Sequence, residues 1–255
     1  MNHLILAALT TLQLTNIILV LIFLFLGFKY LETTWSYKIS KPHKWEKAVK
    51  NGEISNRLKK LERSYRDKVR FYMFWFQIER LKKDHVPGAF AEVGVYKGET
   101  ARIIHEMDPS RSLHLFDSFE GFDKQDLETE TTDARSTIDF SDTNVKLATA
   151  LIGGNANIVF HKGYFPDTVL HLDVEKYALV HLDADLYKPT LAALHYFYPR
   201  LAEGGVIMVH DYNHTWDGVR RALTEFQAAI PEYFTELPDW QGSVLIVKNK
   251  IRQNT

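Results

Sequence analysis

The sequence predicts a doubly wound α/β domain, its sheet mostly parallel with an antiparallel C-terminal hairpin, preceded by one N-terminal transmembrane helix. Three observations carry this. Short apolar runs alternate with helical periodicity from about residue 89 onward, the pattern of repeated βα units in a sheet covered on both faces. A glycine-bearing turn, Glu92-Val93-Gly94-Val95-Tyr96-Lys97-Gly98, joins the first run to a helix. A stretch without charge, Leu4 to Phe28, opens the chain.

That stretch exceeds the ~20 mostly apolar residues a membrane span needs. It has no basic n-region and no small-residue cleavage site, which argues against a signal peptide. Lys29, Lys38, Lys41, Lys44, Lys47 and Lys50 follow it, so the positive-inside rule puts the downstream domain in the cytoplasm. Residues 1–28 are therefore expected to be a single-pass anchor that meets the membrane through residues 4–28. The competing reading is a buried or interfacial helix. Residues 29–55 read as a polar juxtamembrane linker, interrupted by Pro42, Asn51 and Gly52.

Residues 56–255 form the expected main domain. Its first part, 56–84, reads as helical, with Leu58, Leu61, Tyr65, Val69, Tyr72, Phe76 and Leu81 near one face. The aromatic run Phe71–Phe76 points to core packing or a homo-oligomer interface; a substrate-facing wall is the alternative. The core, 85–248, reads as strands at 89–95, 112–117, 157–162, 178–183 and 205–210, with helices at 99–107, 142–152, 189–201 and 216–229. A hairpin of 232–237 and 243–248 ends it across Pro238–Gly242. Glu120–Arg135 is acidic and rich in Thr, and reads as a mobile loop or lid.

Composition narrows the function. The formal net charge of −1 over 255 residues gives no basic field for nucleic acid. The chain has no Cys, which excludes disulfides, thiolate catalysis and Cys-ligated zinc.

In doubly wound sheets ligands bind beyond the C-terminal strand ends. The first strand carries Glu92, Gly94 and Gly98. The second ends at Asp117, 19 residues past Gly98, which suits hydrogen bonding to ribose hydroxyls; capping of a turn is the structural alternative. The fourth delivers Asp183 and Asp185, the fifth His210 and Asp211. Two carboxylates in one cleft repel unless a cation or a proton lies between them, and a hard divalent ion such as Mg²⁺ relieves this. If His210 coordinates, it favours Mn²⁺ or another transition metal; otherwise it is a packed strand-end histidine. Asp185 also suits a turn before the helix near Pro189.

Several motifs together resemble the macrocin-O-methyltransferase family: Val86–Gly98, Phe116-Asp117-Ser118-Phe119-Glu120-Gly121-Phe122, Lys162-Gly163-Tyr164-Phe165-Pro166, Leu182-Asp183-Ala184-Asp185-Leu186-Tyr187 and Tyr198–Gly205. The resemblance implies a Rossmann-like methyltransferase sheet, S-adenosylmethionine as cofactor, Mg²⁺, and methylation of sugar hydroxyls. It implies that Glu92, Gly94 and Gly98 line the methionine end of the cofactor, Asp117 and Ser118 the ribose, and Gly163 and Tyr164 the adenine. Asp183 and Asp211 would hold the metal, with Asp185 a general base or further ligand. The family usually has two adjacent Asp where this chain has His210-Asp211. The anchor is also outside the family pattern, and it points to a small-molecule or lipid-linked sugar acceptor at the membrane. Two other readings stand beside this one: a membrane-anchored glycosyltransferase using Asp183-Ala184-Asp185, and a non-catalytic cofactor-binding scaffold.

Overall fold

The computed structural model describes residues 2–131, 135–153, 156–173 and 176–249, without the side chains of 2–9 and 36–40. Residues 132–134 of the expected loop and 250–255 of the expected main domain lie outside the described residues. The chain divides into two compact units, Met1–Ser55 and Asn56–Thr255.

The first unit is helical. Helix α1 runs Asn2–Ser40, and its segment Thr10–Trp35 is long and apolar enough to cross a membrane. Helix α2 (His43–Lys50) follows. The linker residues are mostly helical, and the helix is broken around Pro42 and from Asn51 to Ser55, at the interruptions expected from Pro42, Asn51 and Gly52. Proline at the N-cap starts α2 instead of ending a helix, because the N–H it lacks would have no intrahelical partner there.

The second unit opens with α3 (Asn56–Ser64) and α4 (Lys68–Lys83). The single expected helix is two, because the Asp67 side chain accepts the Arg70 N–H at 2.9 Å and caps a new start. The restart resets the helical phase. Phe71, Phe74, Trp75, Ile78 and Leu81 face inward, while Val69 is exposed. The aromatic run therefore packs largely into the core: α4 lies against the sheet and the next helix, with Phe74 edge-on to His181 at 5.0 Å.

Then come β1 (Ala89–Val93), α5 (Glu99–Met107), β2 (Leu113–Asp117), α6 (Lys124–Leu127), α7 (Val145–Ile152) and β3 (Ile158–Lys162). After a 3₁₀ turn at Asp167–Val169 follow β4 (Tyr177–Leu182), α8 (Tyr187–Arg200), β5 (Leu201–Val209), α9 (Gly218–Gln227), β6 (Thr235–Leu237) and β7 (Ser243–Val247). The expected unstructured loop holds α6, started by the Asp123 side chain on the Gln125 N–H at 2.9 Å. The sheet order is β3-β2-β1-β4-β5-β7-β6, parallel except for β7, which is antiparallel to β5 and β6. Apolar residues such as Phe116, Tyr177, Phe197, Ile207 and Phe226 fill the space between sheet and helices.

Strand order reverses between β1 and β4, which makes their C-terminal ends the switch point. The register aligns Val93 with Phe116 and Leu182, and Leu182 with Val209. The next residues along, Gly94, Asp117, Asp183 and His210, therefore leave the sheet in one row.

On the other side of the sheet centre, His114 of β2 is buried with Nδ1 2.9 Å from His161 Nε2 of β3, the rings stacked. Burial, reinforced by His161, lowers His114 to about 4, and burial lowers His161 as well. Both bases are held below their unfolded value of 6.5, so the unfolded chain takes up protons first. Their contribution is fully present above pH ~6.5 and is lost as pH falls toward ~4. We expect the urea midpoint to drop over that window, and His114→Gln to flatten the drop; an unchanged slope would refute the assignment.

Candidate active site

The row at the switch point opens into a cleft of about 630 Å³ that reaches Gly94, Asp117, Ser118, Gly163, Tyr164, Asp183, Asp185, His210 and Asp211. Four of the loops behind it each hold a non-glycine residue in the left-handed region: Tyr96 (φ 50°), Phe119 (φ 55°), Asp185 (φ 60°) and Asp211 (φ 65°). Such conformations carry strain, and here they turn backbone and carboxylates toward one point.

At one end, Asp117 accepts three backbone N–H groups: Val95 at 2.7 Å, Tyr96 at 2.8 Å and Phe119 at 2.6 Å. It clamps the β1–α5 turn to its own loop. A carboxylate has about four lone-pair sites, so acceptor capacity remains. Ser118 Oγ donates to the Gly121 carbonyl at 2.8 Å. The Gly163 N–H donates to the Asp117 carbonyl at 3.0 Å, and Tyr164 Oη to Asp126 of α6 at 2.7 Å. Gly98, at φ 87°, starts α5 but is not among the residues facing the cleft.

Glu92 also does not face the cleft. It is 1% exposed, inside β1, with Oε1 2.8 Å from His181 Nδ1 of β4. Burial first, then the charge of Asp183, raises Glu92 well above the carboxylate range; burial lowers His181 to about 3. The two form a neutral hydrogen-bonded pair beneath the cleft floor. His181 is the packed core residue its place inside a strand implies.

At the other end, Asp183, His210 and Asp211 offer ligand atoms within 4.8 Å of one another. His210 Nε2 lies 3.0 Å from the Trp240 carbonyl, which only accepts, so that nitrogen carries a proton. Nδ1 points into the cluster, 2.9 Å from Asp183 Oδ1 and 3.0 Å from Asp211 Oδ1. Burial opposes charge on His210, but the carboxylates of Asp183 and Asp211 outweigh it and raise its pKa to about 11. Burial pushes Asp183 up, and His210 more than reverses this, holding Asp183 below the usual range. For Asp185, burial and then Asp211 and Asp183 push the pKa well up, opposed by Arg135, whose guanidinium donates to its Oδ1.

The donor set fits a divalent cation. Two carboxylates and one ring nitrogen converge, Asp211 Oδ1 is buried beside the His210 ring nitrogen at 3.0 Å, and a backbone carbonyl fixes the far nitrogen of His210 as it does for ligating histidines. The nitrogen donor moves the preference from Mg²⁺ toward Mn²⁺ and its neighbours.

Two residues that motif reading did not single out complete the site. Arg135 lies against the Trp216 ring, 3.4 Å from its centroid, with Phe122 and Phe140 beside it. Arg70 of α4 approaches Asp183 Oδ2 at 3.6 Å. Nothing near Arg135 in the chain marks it, and Arg70 precedes the first strand by a full helix.

This architecture defines a class: a doubly wound α/β domain with a cleft and a carboxylate–imidazole cluster at its switch point. The chain matches the macrocin-O-methyltransferase (TylF) family over residues 40–242 and belongs to that family. It is 28% identical over 165 residues to 8-demethyl-8-(2,3-dimethoxy-alpha-L-rhamnosyl)-tetracenomycin-C 4'-O-methyltransferase of Streptomyces olivaceus, covering 59% of this chain and 62% of the relative. It is 31% identical over 150 residues to mycinamicin III 3''-O-methyltransferase of Micromonospora griseorubida, covering 53% and 59%. The chain thus spans less than two thirds of the length of these curated relatives. In fold it is similar to the O-methyltransferase NovP (TM-score 0.60, 22% identity, 72% of this chain and 81% of the other). It is also similar to the calicheamicin methyltransferase CalS11 (TM-score 0.55, 20% identity, 69% and 79%).

Replacing His210 by Asp tests the centre. Three carboxylates without a cation repel, so His210→Asp is expected to melt at lower temperature than wild type without metal, and to gain more from Mg²⁺. Thermal melts with Mg²⁺ and Mn²⁺ read this out. An unchanged Mn²⁺-to-Mg²⁺ preference would remove His210 from the donor set.

Proposed function

We propose that this chain is an S-adenosylmethionine-dependent, divalent-metal-assisted O-methyltransferase acting on a hydroxyl of a sugar or glycosylated acceptor. The observation that carries the reading is the convergence of Asp183, His210 and Asp211 in the cleft whose other end is held by Asp117. Family membership favours methyl transfer over the Asp-x-Asp glycosyltransferase alternative. The Streptomyces olivaceus relative is named for methylation of a rhamnosyl tetracenomycin, which supports a sugar acceptor here.

In this reading Asp117 and Ser118 face the ribose, Gly163 and Tyr164 the adenine, and Gly94 the turn toward the methionine end. Glu92 and Gly98 act from behind, one by holding His181, the other by starting α5. Asp183, Asp211 and His210 would hold the cation. When bound, the cofactor supplies an electrophilic methyl group and the cation lowers the pKa of an acceptor hydroxyl. Asp185 receives the hydroxyl proton, and Arg135 favours its charged form against the push of burial and of its carboxylate neighbours. The rings of Phe122, Phe140 and Trp216 around Arg135 keep water from that corner. The protein chiefly aligns the hydroxyl with the methyl group.

Asp183→Asn and Asp211→Asn are expected to lower turnover by at least about 100-fold while leaving S-adenosylhomocysteine affinity nearly intact. Calorimetry beside a labelled-methyl assay checks this, and full activity in both variants would sink the metal role.

We further read Thr10–Trp35 as a single membrane span with the main domain facing the cytoplasm, supported by its apolar length and by the lysines from Lys29 onward. The acceptor is then a lipid-linked sugar at the membrane surface. A chain lacking residues 1–50 is expected to lose its advantage on a lipid-linked acceptor. Equal rates for both chains, with no preference over a soluble sugar, would overturn this.

A further inference from the structure

The cleft contains a positive charge that the chemistry above does not use. Arg70 sits in the first turn of α4, its side chain only 14% exposed, and it faces the cleft that holds Gly94 and Asp183. Its Nε and Nη1 are buried and make no hydrogen bond among the described residues. The closest carboxylate oxygen, Asp183 Oδ2, is 3.6 Å from Nη1, beyond hydrogen-bond range, and the other oxygen of Asp183 is engaged by His210. A buried guanidinium with unmatched N–H groups is costly, and the group that best relieves it is an anion. The Tyr65 ring, whose centroid is 5.6 Å from the guanidinium carbon, lies on its other side.

The position selects the anion. Tyr65 neighbours Thr100, in the first turn of α5, so Arg70 stands between the start of α5 and the end of β4. Asp117, Gly163 and Tyr164 mark the opposite end of the cleft. A ligand with its nucleoside at Asp117, crossing the Gly94 turn, brings its far end to Arg70. S-adenosylmethionine and S-adenosylhomocysteine each carry one anionic group, the α-carboxylate, and it lies at that far end. We propose that Arg70 is the anchor of the cofactor's α-carboxylate, reaching the site from a helix that precedes the α/β core. The inference rests on the cofactor reading above and adds the group that fixes the direction of the cofactor in the cleft.

The test is a cycle of two ligands and three proteins, all as full chains in detergent micelles. Calorimetry measures S-adenosylhomocysteine and its decarboxylated analogue, S-adenosyl-3-thiopropylamine, against wild type, Arg70→Gln and Arg70→Lys. Wild type is expected to prefer the carboxylate-bearing ligand by about 10- to 100-fold, the range for hydrogen bonds to charged groups. Arg70→Gln is expected to erase that preference while binding the decarboxylated analogue as wild type does, which also shows that the variant is folded. Arg70→Lys is expected to restore part of it, since an ammonium supplies the charge without the planar fork. Equal weakening of both ligands by Arg70→Gln would make Arg70 structural and overturn the proposal, as would unchanged S-adenosylhomocysteine affinity. Wild type that binds neither ligand would overturn the cofactor reading and this inference with it. Wild type that binds both alike would overturn this inference alone.

Discussion

Gly94 has no room for a side chain, because the backbone carbonyl of Asp183 lies where its Cβ would be. At φ 88° the position also disfavours any L side chain. This contact lets the ends of β1 and β4 close on each other, with the Asp183 N–H donating to the Val93 carbonyl at 2.8 Å. The glycine of the cofactor turn thus serves the carboxylate cluster directly. Asp117 fixes the same turn from the β2 side through the Val95 and Tyr96 N–H groups. The two ends of the cleft, at Asp117 and at Asp183, share a single stretch of backbone, and a shift in either is felt by the other.

Charge is the second constraint. Three carboxylates share one end of the cleft, and each has a cationic neighbour: Asp183 has His210 and Arg70, Asp185 has Arg135, and Asp211 has His210. Buried ion pairs of this kind roughly break even against desolvation, so the cluster is a poor device for stability. Its worth lies in holding acids close together until a ligand arrives. In the proposed reading, a cation between Asp183 and Asp211 would take over the role that the imidazolium of His210 plays without it.

Much of this was legible in the sequence for a simple reason. The βα units alternate between two hydrophobic periods, and their ends carry Gly, Asp or Pro, so strands and helices could be read to within a few residues. The acidic strand ends mark the cleft because parallel strands all present their C-terminal ends to one side. What escaped was governed by contacts distant in the chain. Whether Glu92 faces the cleft depends on where β1 ends, and its hydrogen bond to His181 is a cross-strand fact. The break between α3 and α4 turns on one capping side chain, Asp67, in a stretch whose composition is helical throughout. Arg70 precedes the motifs and Arg135 falls between two of them, and only the folded chain brings them to Asp183 and Asp185.

The restart at Asp67 does more than divide a helix. Its Oδ1 accepts the Arg70 N–H and its Oδ2 accepts the Trp240 N–H at 2.7 Å. The Trp240 carbonyl meets His210 Nε2, His210 Nδ1 meets Asp183, and Asp183 faces Arg70, which closes a ring back to α4. One carboxylate outside the sheet thereby ties together the helix that carries the guanidinium, the β6–β7 loop, and the Asp183–His210–Asp211 cluster. Each link of the ring is a single polar contact, so none is strong alone, but polar networks in a low-dielectric setting reinforce one another. The arrangement brings a helix that precedes the α/β core to the cleft: it places the Arg70 guanidinium there, and the same residue that starts it is linked through Trp240 to the histidine.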